Sequence, residues 1–99
     1  MRLRLSPCVP GDLDEIAEYI AQDSPRHAVR MLRLLRAQMK EIARNPKIYR
    51  LRPEIGADAR LATVGNYVIL FRIRQNTVRI ERVVHGSREL LMVLDQAEH

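Results

Sequence analysis

The chain has 99 residues, of which 46% are hydrophobic and 29% charged, and its formal net charge at pH 7 is +5. This length predicts a single domain over residues 1–99, and the composition excludes a disordered acidic tail. The longest apolar runs, 67–71 and 90–94, are far shorter than the roughly 20 residues of a membrane-spanning helix, so no membrane association is expected. The only cysteine, Cys8, has no partner for a disulfide or a metal site. We therefore expect a cytoplasmic protein without metal or cofactor.

The charges are separated along the chain. Residues 1–25 contain two basic and five acidic residues, residues 26–52 contain nine basic residues and only Glu41, and the remainder contains six of each. Fifteen of the 17 basic residues are Arg, whose guanidinium pairs well with carboxylate or phosphate. The basic segment therefore predicts an acidic partner, protein or nucleic acid. Few aromatic residues and no helix-turn-helix spacing argue against direct reading of duplex DNA.

The N-terminal part of the chain predicts a short strand followed by an acidic helix. Alternation of Arg and Leu over residues 2–5 is typical of a strand with one buried face. Ser6 and Pro7 form one possible helix start, and Asp12 with Glu15 forms another. Apolar residues then recur at helical spacing, so the acidic side chains between them are expected to face water; these are Asp12, Asp14, Glu15 and Glu18.

A second, longer helix is predicted to follow. Ser24 and Pro25 provide an N-cap and a first helical proline, and Asn45 with Pro46 ends the helix after about Arg44. The two helices should form an antiparallel hairpin in which some of the arginines are neutralised by the acidic first helix. The expected apolar stripe of the second helix consists of Val29, Leu32, Leu35, Met39 and Ile42.

The C-terminal half predicts three antiparallel strands after a loop over 47–59. The strands 60–64, 67–74 and 77–84 are rich in β-branched residues and are separated by Gly65-Asn66 and Gln75-Asn76, which are two-residue turns. In the last strand, Val78, Ile80, Arg82 and Val84 should share one face. Because both faces of the sheet carry apolar residues, we expect a C-terminal helix over 90–94 to cover the face opposite the hairpin. The fold class is therefore α+β.

One cluster carries possible chemistry, because the sequence lacks the standard catalytic motifs. Arg82, His85 and Arg88 follow one another where the last strand ends. A histidine beside arginines could cleave RNA without a metal. A structural role at the corner between a strand and a helix is the alternative, and we favour it. Tyr67 and Phe71 are interpreted as core residues and not as a base-stacking surface.

The order of these elements, with GNYVILFRI at 65–73 and VRIERVVHGSREL at 78–90, resembles the ParE family of bacterial toxins within the ParE/RelE superfamily. The ribosome-dependent RNA-cleaving relatives of the RelE type keep basic residues and an aromatic residue or histidine near the C-terminal motif for catalysis, where this chain has no tyrosine or lysine. The resemblance therefore favours the ParE branch. The matching family positions are Arg60, Gly65, Tyr67, Phe71, Arg72, His85, Gly86 and Arg88.

The resemblance implies a non-enzymatic toxin of a type II toxin–antitoxin module that inhibits DNA gyrase and stabilises a plasmid or chromosomal locus. A cognate ParD-type antitoxin would silence it in a hetero-oligomeric complex. On this interpretation the antitoxin contacts are Arg26, Arg30, Arg33, Leu91 and Leu94. Two alternatives remain. One is a ribosome-dependent mRNA endonuclease using His85, Arg82, Arg88 and Arg60, and the other is a non-toxic relative that still binds an antitoxin.

Overall fold

The fold is described for residues 1–86 of a computed structural model. The elements are β1 (Arg2–Leu5), α1 (Val9–Ala21), α2 (Pro25–Arg44), a 3-10 turn (Pro46–Ile48), β2 (Arg60–Val64), β3 (Tyr67–Arg74) and β4 (Thr77–His85). The predicted α+β order is confirmed. The C-terminal helix expected over 90–94, with Leu91 and Leu94, lies outside the described residues. Within residues 1–86, no helix has the length and apolar character needed to cross a membrane.

The four strands form one mixed sheet in the order β1-β4-β3-β2. β2, β3 and β4 make the predicted antiparallel meander, and β1 lies at the edge, parallel to β4. The Gln75-Asn76 turn has positive φ at both residues, 47° and 63°, which matches the right-handed twist of a tight hairpin. Gly65, with φ 57°, supplies the left-handed conformation in the other turn at little steric cost.

The bounds of α2 agree with those predicted from the sequence, whereas the start of α1 differs from the prediction. Ser24 Oγ accepts a hydrogen bond from His27 N at 3.2 Å, as an N-cap should. α1 begins at Val9 after Cys8, which makes no side-chain cap, so the predicted start at Asp12 is wrong and the one at Ser6-Pro7 lies two residues too early. The Ser6 hydroxyl caps the turn before the helix, because it accepts a hydrogen bond from Cys8 N at 3.3 Å, and it also donates to the Glu81 carbonyl oxygen at 2.6 Å.

The helices cover one face of the sheet and form the main core with it. Two predictions about this core are wrong: Val29 is exposed, and all four residues of β1 are exposed. β1 lies at the edge of the sheet, where packing from the helices does not fully cover Leu3 or Leu5. The buried core residues are Val9, Leu13, Ile16, Leu35, Met39, Ile42, Ala62, Tyr67, Ile69, Phe71, Val78, Ile80 and Val83.

A β-bulge in β4 reverses the faces of the sheet on which the side chains after it lie. Phe71 pairs with Ile80, but the preceding residue, Leu70, pairs with Arg82, so Glu81 is the extra residue. Val83 therefore joins the core on the helix side, and Val84 packs on the opposite face. The predicted alternation, which placed Val84 with Val78 and Ile80, is wrong because one inserted residue reverses the faces that follow it.

The opposite face of the sheet is covered in part by the loop before β2. Ile55 and Ala59 pack with Val68, Leu70 and Val84 in a second buried cluster. Backbone hydrogen bonds fold the loop, including Arg52 N to Ala59 O at 2.7 Å. An ion pair fastens it to β3, since Arg72 Nε lies 3.0 Å from Asp58 Oδ1. The sequence predicted a connecting loop here but not its contribution to the core.

Ile55→Ala should lower the free energy of unfolding by about 2–4 kcal/mol, because it leaves a cavity under the loop. The control, Ile48→Ala, changes a side chain in a residue that is 69% exposed, and we expect a change within about 0.5 kcal/mol. Urea denaturation of the two variants measures both values. Equal stability of the two variants would show that the loop does not form part of the core.

Candidate functional site

The site residues predicted from the sequence fall in three places. Arg26, Arg30 and Arg33 lie on α2; Arg60, Phe71 and Arg72 lie in the β2–β3 hairpin; and Gly65, Tyr67, Arg82, His85 and Gly86 lie near the ends of β2, β3 and β4. Arg88 lies outside the described residues. The three places differ in charge and burial, and so in the chemistry that they can support.

Asp12 and Arg82 form a bidentate ion pair that joins α1 to β4. Arg82 Nε and Nη2 each donate to one carboxylate oxygen of Asp12 at 2.9 Å. The backbone N–H of Val83 also donates to this carboxylate at 2.9 Å. The hydrogen bond with Asp12 raises the pKa of the Arg82 guanidinium above its ordinary value. Two of the donors that Arg82 could offer to a phosphate are thus directed at a carboxylate.

Asp12 is only 7% exposed, so the prediction that it faces water is wrong. It lies on the buried stripe of α1 with Val9, Leu13 and Ile16. This position at helical spacing was visible in the sequence and could have identified Asp12 as a buried acid that needs a partner. Its partner, 70 residues further along the chain, gave no local signal.

A cleft of about 490 Å³ opens beside this ion pair, between α1 and the ends of β3 and β4. The imidazole of His85 meets Tyr67 edge to face, with ring centroids 5.7 Å apart. Among the residues of 1–86 that line the cleft, none is Lys or Arg, and two are carboxylic acids. The lining residues are Asp12, Glu15, Ile16, Tyr19, Tyr67, Val83 and His85. Acidic and aromatic walls do not suit an RNA phosphate.

Arg60 lies apart from this cleft. It pairs with Phe71, whereas His85 pairs with Tyr67, and four residues along β3 correspond to about 13 Å. The Arg60 guanidinium donates to the Tyr49 carbonyl oxygen. Tyr49 packs edge to face on Phe71, with centroids 5.5 Å apart. The structure therefore does not bring Arg60 together with His85.

The remaining family positions have structural roles. Tyr67 and Phe71 are buried, which confirms them as core residues. The backbone N–H of Gly86 donates to the Asn66 carbonyl oxygen at 2.8 Å. A Cβ atom at Gly86 would lie 3.4 Å from that oxygen, so glycine permits the close approach of the two turns. Within the described part of the chain, no group of acidic, histidine or cysteine side chains could hold a metal ion.

α2 presents a basic stripe, which we define as Arg26, Arg30 and Arg33. All three residues are exposed, and their spacing places them on one face of the helix. The predicted neutralisation across the hairpin does not occur within residues 1–86, because no ion pair there joins α1 to α2. The exposed side chains of Val29 and Leu34 lie on the same helix. The basic stripe thus offers charge and apolar contact to a partner.

Asp12→Ala should lower the free energy of unfolding by about 2–3 kcal/mol, because it removes an acceptor from Arg82 and from a buried N–H. Asp14→Ala is the matched control, since Asp14 is an exposed residue of the same helix, and we expect a change within about 0.5 kcal/mol. Thermal or urea unfolding distinguishes the two. A small effect of Asp12→Ala would mean that the ion pair does not position α1.

Comparison with known proteins agrees with this architecture. A family model described as the ParE toxin of the type II toxin–antitoxin system parDE matches residues 3–90. Among solved structures, the chromosomal ParDE system from P. aeruginosa contains a chain with a similar fold. Its TM-score is 0.75 at 22% identity, over 86% of this chain and 95% of that one. The search of curated proteins gives no significant match. Because the family model spans most of the sequence, the chain belongs to the ParE toxin family of type II toxin–antitoxin systems.

Proposed function

We propose that this ParE-family toxin acts in the cytoplasm by binding and inhibiting DNA gyrase, without catalysing a reaction. A cognate ParD-type antitoxin neutralises it by covering the basic stripe of α2. The single observation that carries the non-enzymatic mode of action is the bidentate pair between Asp12 and Arg82. This pair directs Arg82, one of the arginines of the sequence cluster around His85, at a carboxylate of the same chain.

Metal-free cleavage of RNA needs an acid, a base and a cation placed at the phosphate. His85 could supply one proton-transfer group, but the cleft beside it also carries Glu15 and Asp12. The Asp12 carboxylate is already paired with Arg82, and that of Glu15 opposes the approach of a phosphate. Arg60, one of the three arginines of the endonuclease hypothesis, lies elsewhere on the sheet. These placements support a structural role for His85 and its packing against Tyr67.

The antitoxin contact is supported by the charge and accessibility of α2. Guanidinium groups form paired hydrogen bonds with carboxylates, so an acidic antitoxin segment fits Arg26, Arg30 and Arg33. Exposed Val29 and Leu34 add apolar contact area for the same segment. Charge complementarity of this kind raises the association rate and selects the partner. The toxin and its antitoxin therefore form a hetero-oligomer through α2.

Arg30→Glu combined with Arg33→Glu should weaken antitoxin binding about tenfold to a hundredfold at low salt, because two attractive pairs become repulsive. Lys47→Glu combined with Arg50→Glu is the control, with the same change in net charge at exposed residues outside α2. Calorimetric titration with the cognate antitoxin measures both double variants. Equal affinities of the two variants would remove the basic stripe from the interface.

His85→Ala should retain inhibition of gyrase supercoiling and should show no change in mRNA integrity, because the proposed mechanism assigns His85 no proton transfer. The purified variant and the unaltered chain are compared in a supercoiling assay and in a ribosome-dependent mRNA cleavage assay. Antitoxin binding by both proteins serves as the control for folding. Cleavage of mRNA by the unaltered chain that is lost in the variant would establish the endonuclease alternative. Harmless expression of the unaltered chain would establish the non-toxic alternative.

A further inference from the structure

We propose that β1 is a docking edge for an extended segment of a partner protein in which acidic and apolar residues alternate. The segment adds a fifth strand to the sheet beside β1. This surface lies at the edge of the sheet and is distinct from the basic stripe of α2. The inference does not rest on gyrase as the target of the toxin.

Among residues 1–86, no strand pairs with the outer side of β1. β1 is an edge strand of the sheet, and within residues 1–86 it pairs with β4 alone. Ser6 N donates to Ile80 O at 2.8 Å, and alternate residues of a parallel strand face its neighbour. The backbone N–H and C=O groups of the even-numbered residues of β1 therefore point toward β4. The N–H and C=O groups of Leu3 and Leu5 point outward, where a partner strand can bond to them.

The other edge of the sheet is protected by the chain itself. Leu51 forms a bridge with Arg60 on the outer side of β2. Arg52 N donates to Ala59 O just beyond that bridge, and the side chain of Arg60 holds the Tyr49 carbonyl oxygen. Open edges tend to pair with other chains, so proteins usually cover or charge them. In residues 1–86, the loop provides this cover for β2, but no equivalent covers β1.

The two faces of β1 specify the chemistry of the added strand. Leu3 pairs with Val78 and Leu5 with Ile80, which places both leucines on the face of the main core, yet they remain 37% and 47% exposed. Arg2 and Arg4 lie on the opposite face. Neighbouring strands contact each other through side chains on the same face. An added strand therefore needs apolar residues beside the leucines and carboxylates beside the arginines.

A second copy of this chain does not fit the same edge. Pairing of β1 with β1 of another copy places arginine beside arginine, and like charges in opposed positions destabilise a sheet. Shifting the register by one residue places arginine beside leucine, which satisfies neither side chain. An acidic segment removes both conflicts. The charge of β1 thus selects a different protein as its partner.

The direct test uses a capped hexapeptide of alternating Glu and Val as the probe, with the full chain labelled for NMR. At low salt we expect the peptide to slow hydrogen exchange at the amides of Leu3 and Leu5. A peptide of alternating Lys and Val should not do so. The inference is overturned if the acidic peptide leaves these two amides unprotected, or if the basic peptide protects them equally.

Two variants locate the contact. Arg2→Glu combined with Arg4→Glu should weaken binding of the acidic peptide about tenfold, while the control, Lys47→Glu with Arg50→Glu, leaves it unchanged. Leu5→Pro removes an outward N–H but none of the bonds to β4, and should weaken binding about twofold to tenfold. If the proline variant does not fold, the double variant with Arg2→Glu and Arg4→Glu still tests whether the peptide binds at β1. Equal binding by that pair and its control overturns the inference.

Discussion

The carboxylate of Asp12 holds together the part of the molecule where β1, α1 and β4 meet. β1 ends beside Ile80, so within residues 1–86 the next residues of β4 have no neighbouring strand on that side. The Ser6 hydroxyl bonds to the Glu81 carbonyl oxygen, and the Asp12 carboxylate bonds to Arg82 and to the Val83 N–H. Buried backbone groups need such partners. The connection from β1 to α1 thus completes the bonding of β4 beside its bulge, and it places α1 on the sheet.

This arrangement separates the surfaces of the protein by charge. Arg82 is held by the buried acid, and the adjoining cleft has acidic and aromatic walls in the described residues. Basic side chains are instead exposed on α2 and on β1, where they lie beside exposed apolar residues. Surfaces of this composition suit recognition of acidic protein segments. The distribution accords with a toxin that acts and is silenced through protein contacts.

The parts of the fold that depend on local signals could be predicted from the sequence. The ends of α2 follow from Ser24-Pro25 and Asn45-Pro46, and the hairpin turns follow from Gly65-Asn66 and Gln75-Asn76. α1 begins two residues beyond the predicted Ser6-Pro7 start. Ser6 accepts from the nearby Cys8 N–H, as the sequence indicates, but it also donates to Glu81, a residue of β4 that is distant in sequence.

Features set by distant contacts could not be predicted. The bulge in β4 depends on its pairing with β3 and has no mark in the sequence of β4. The exposure of β1 follows from its place at the edge, which a strand pattern does not reveal. For the candidate site, His85 and Arg82 were identified, but Asp12 determines what Arg82 can do. Its position on the buried stripe of α1 was the one available signal.

The most direct test of the account is a gyrase supercoiling assay with the purified chain, alone and after addition of its antitoxin. The chain should block supercoiling at stoichiometric concentrations, and the antitoxin should restore it. Normal supercoiling at concentrations that arrest growth would contradict the account.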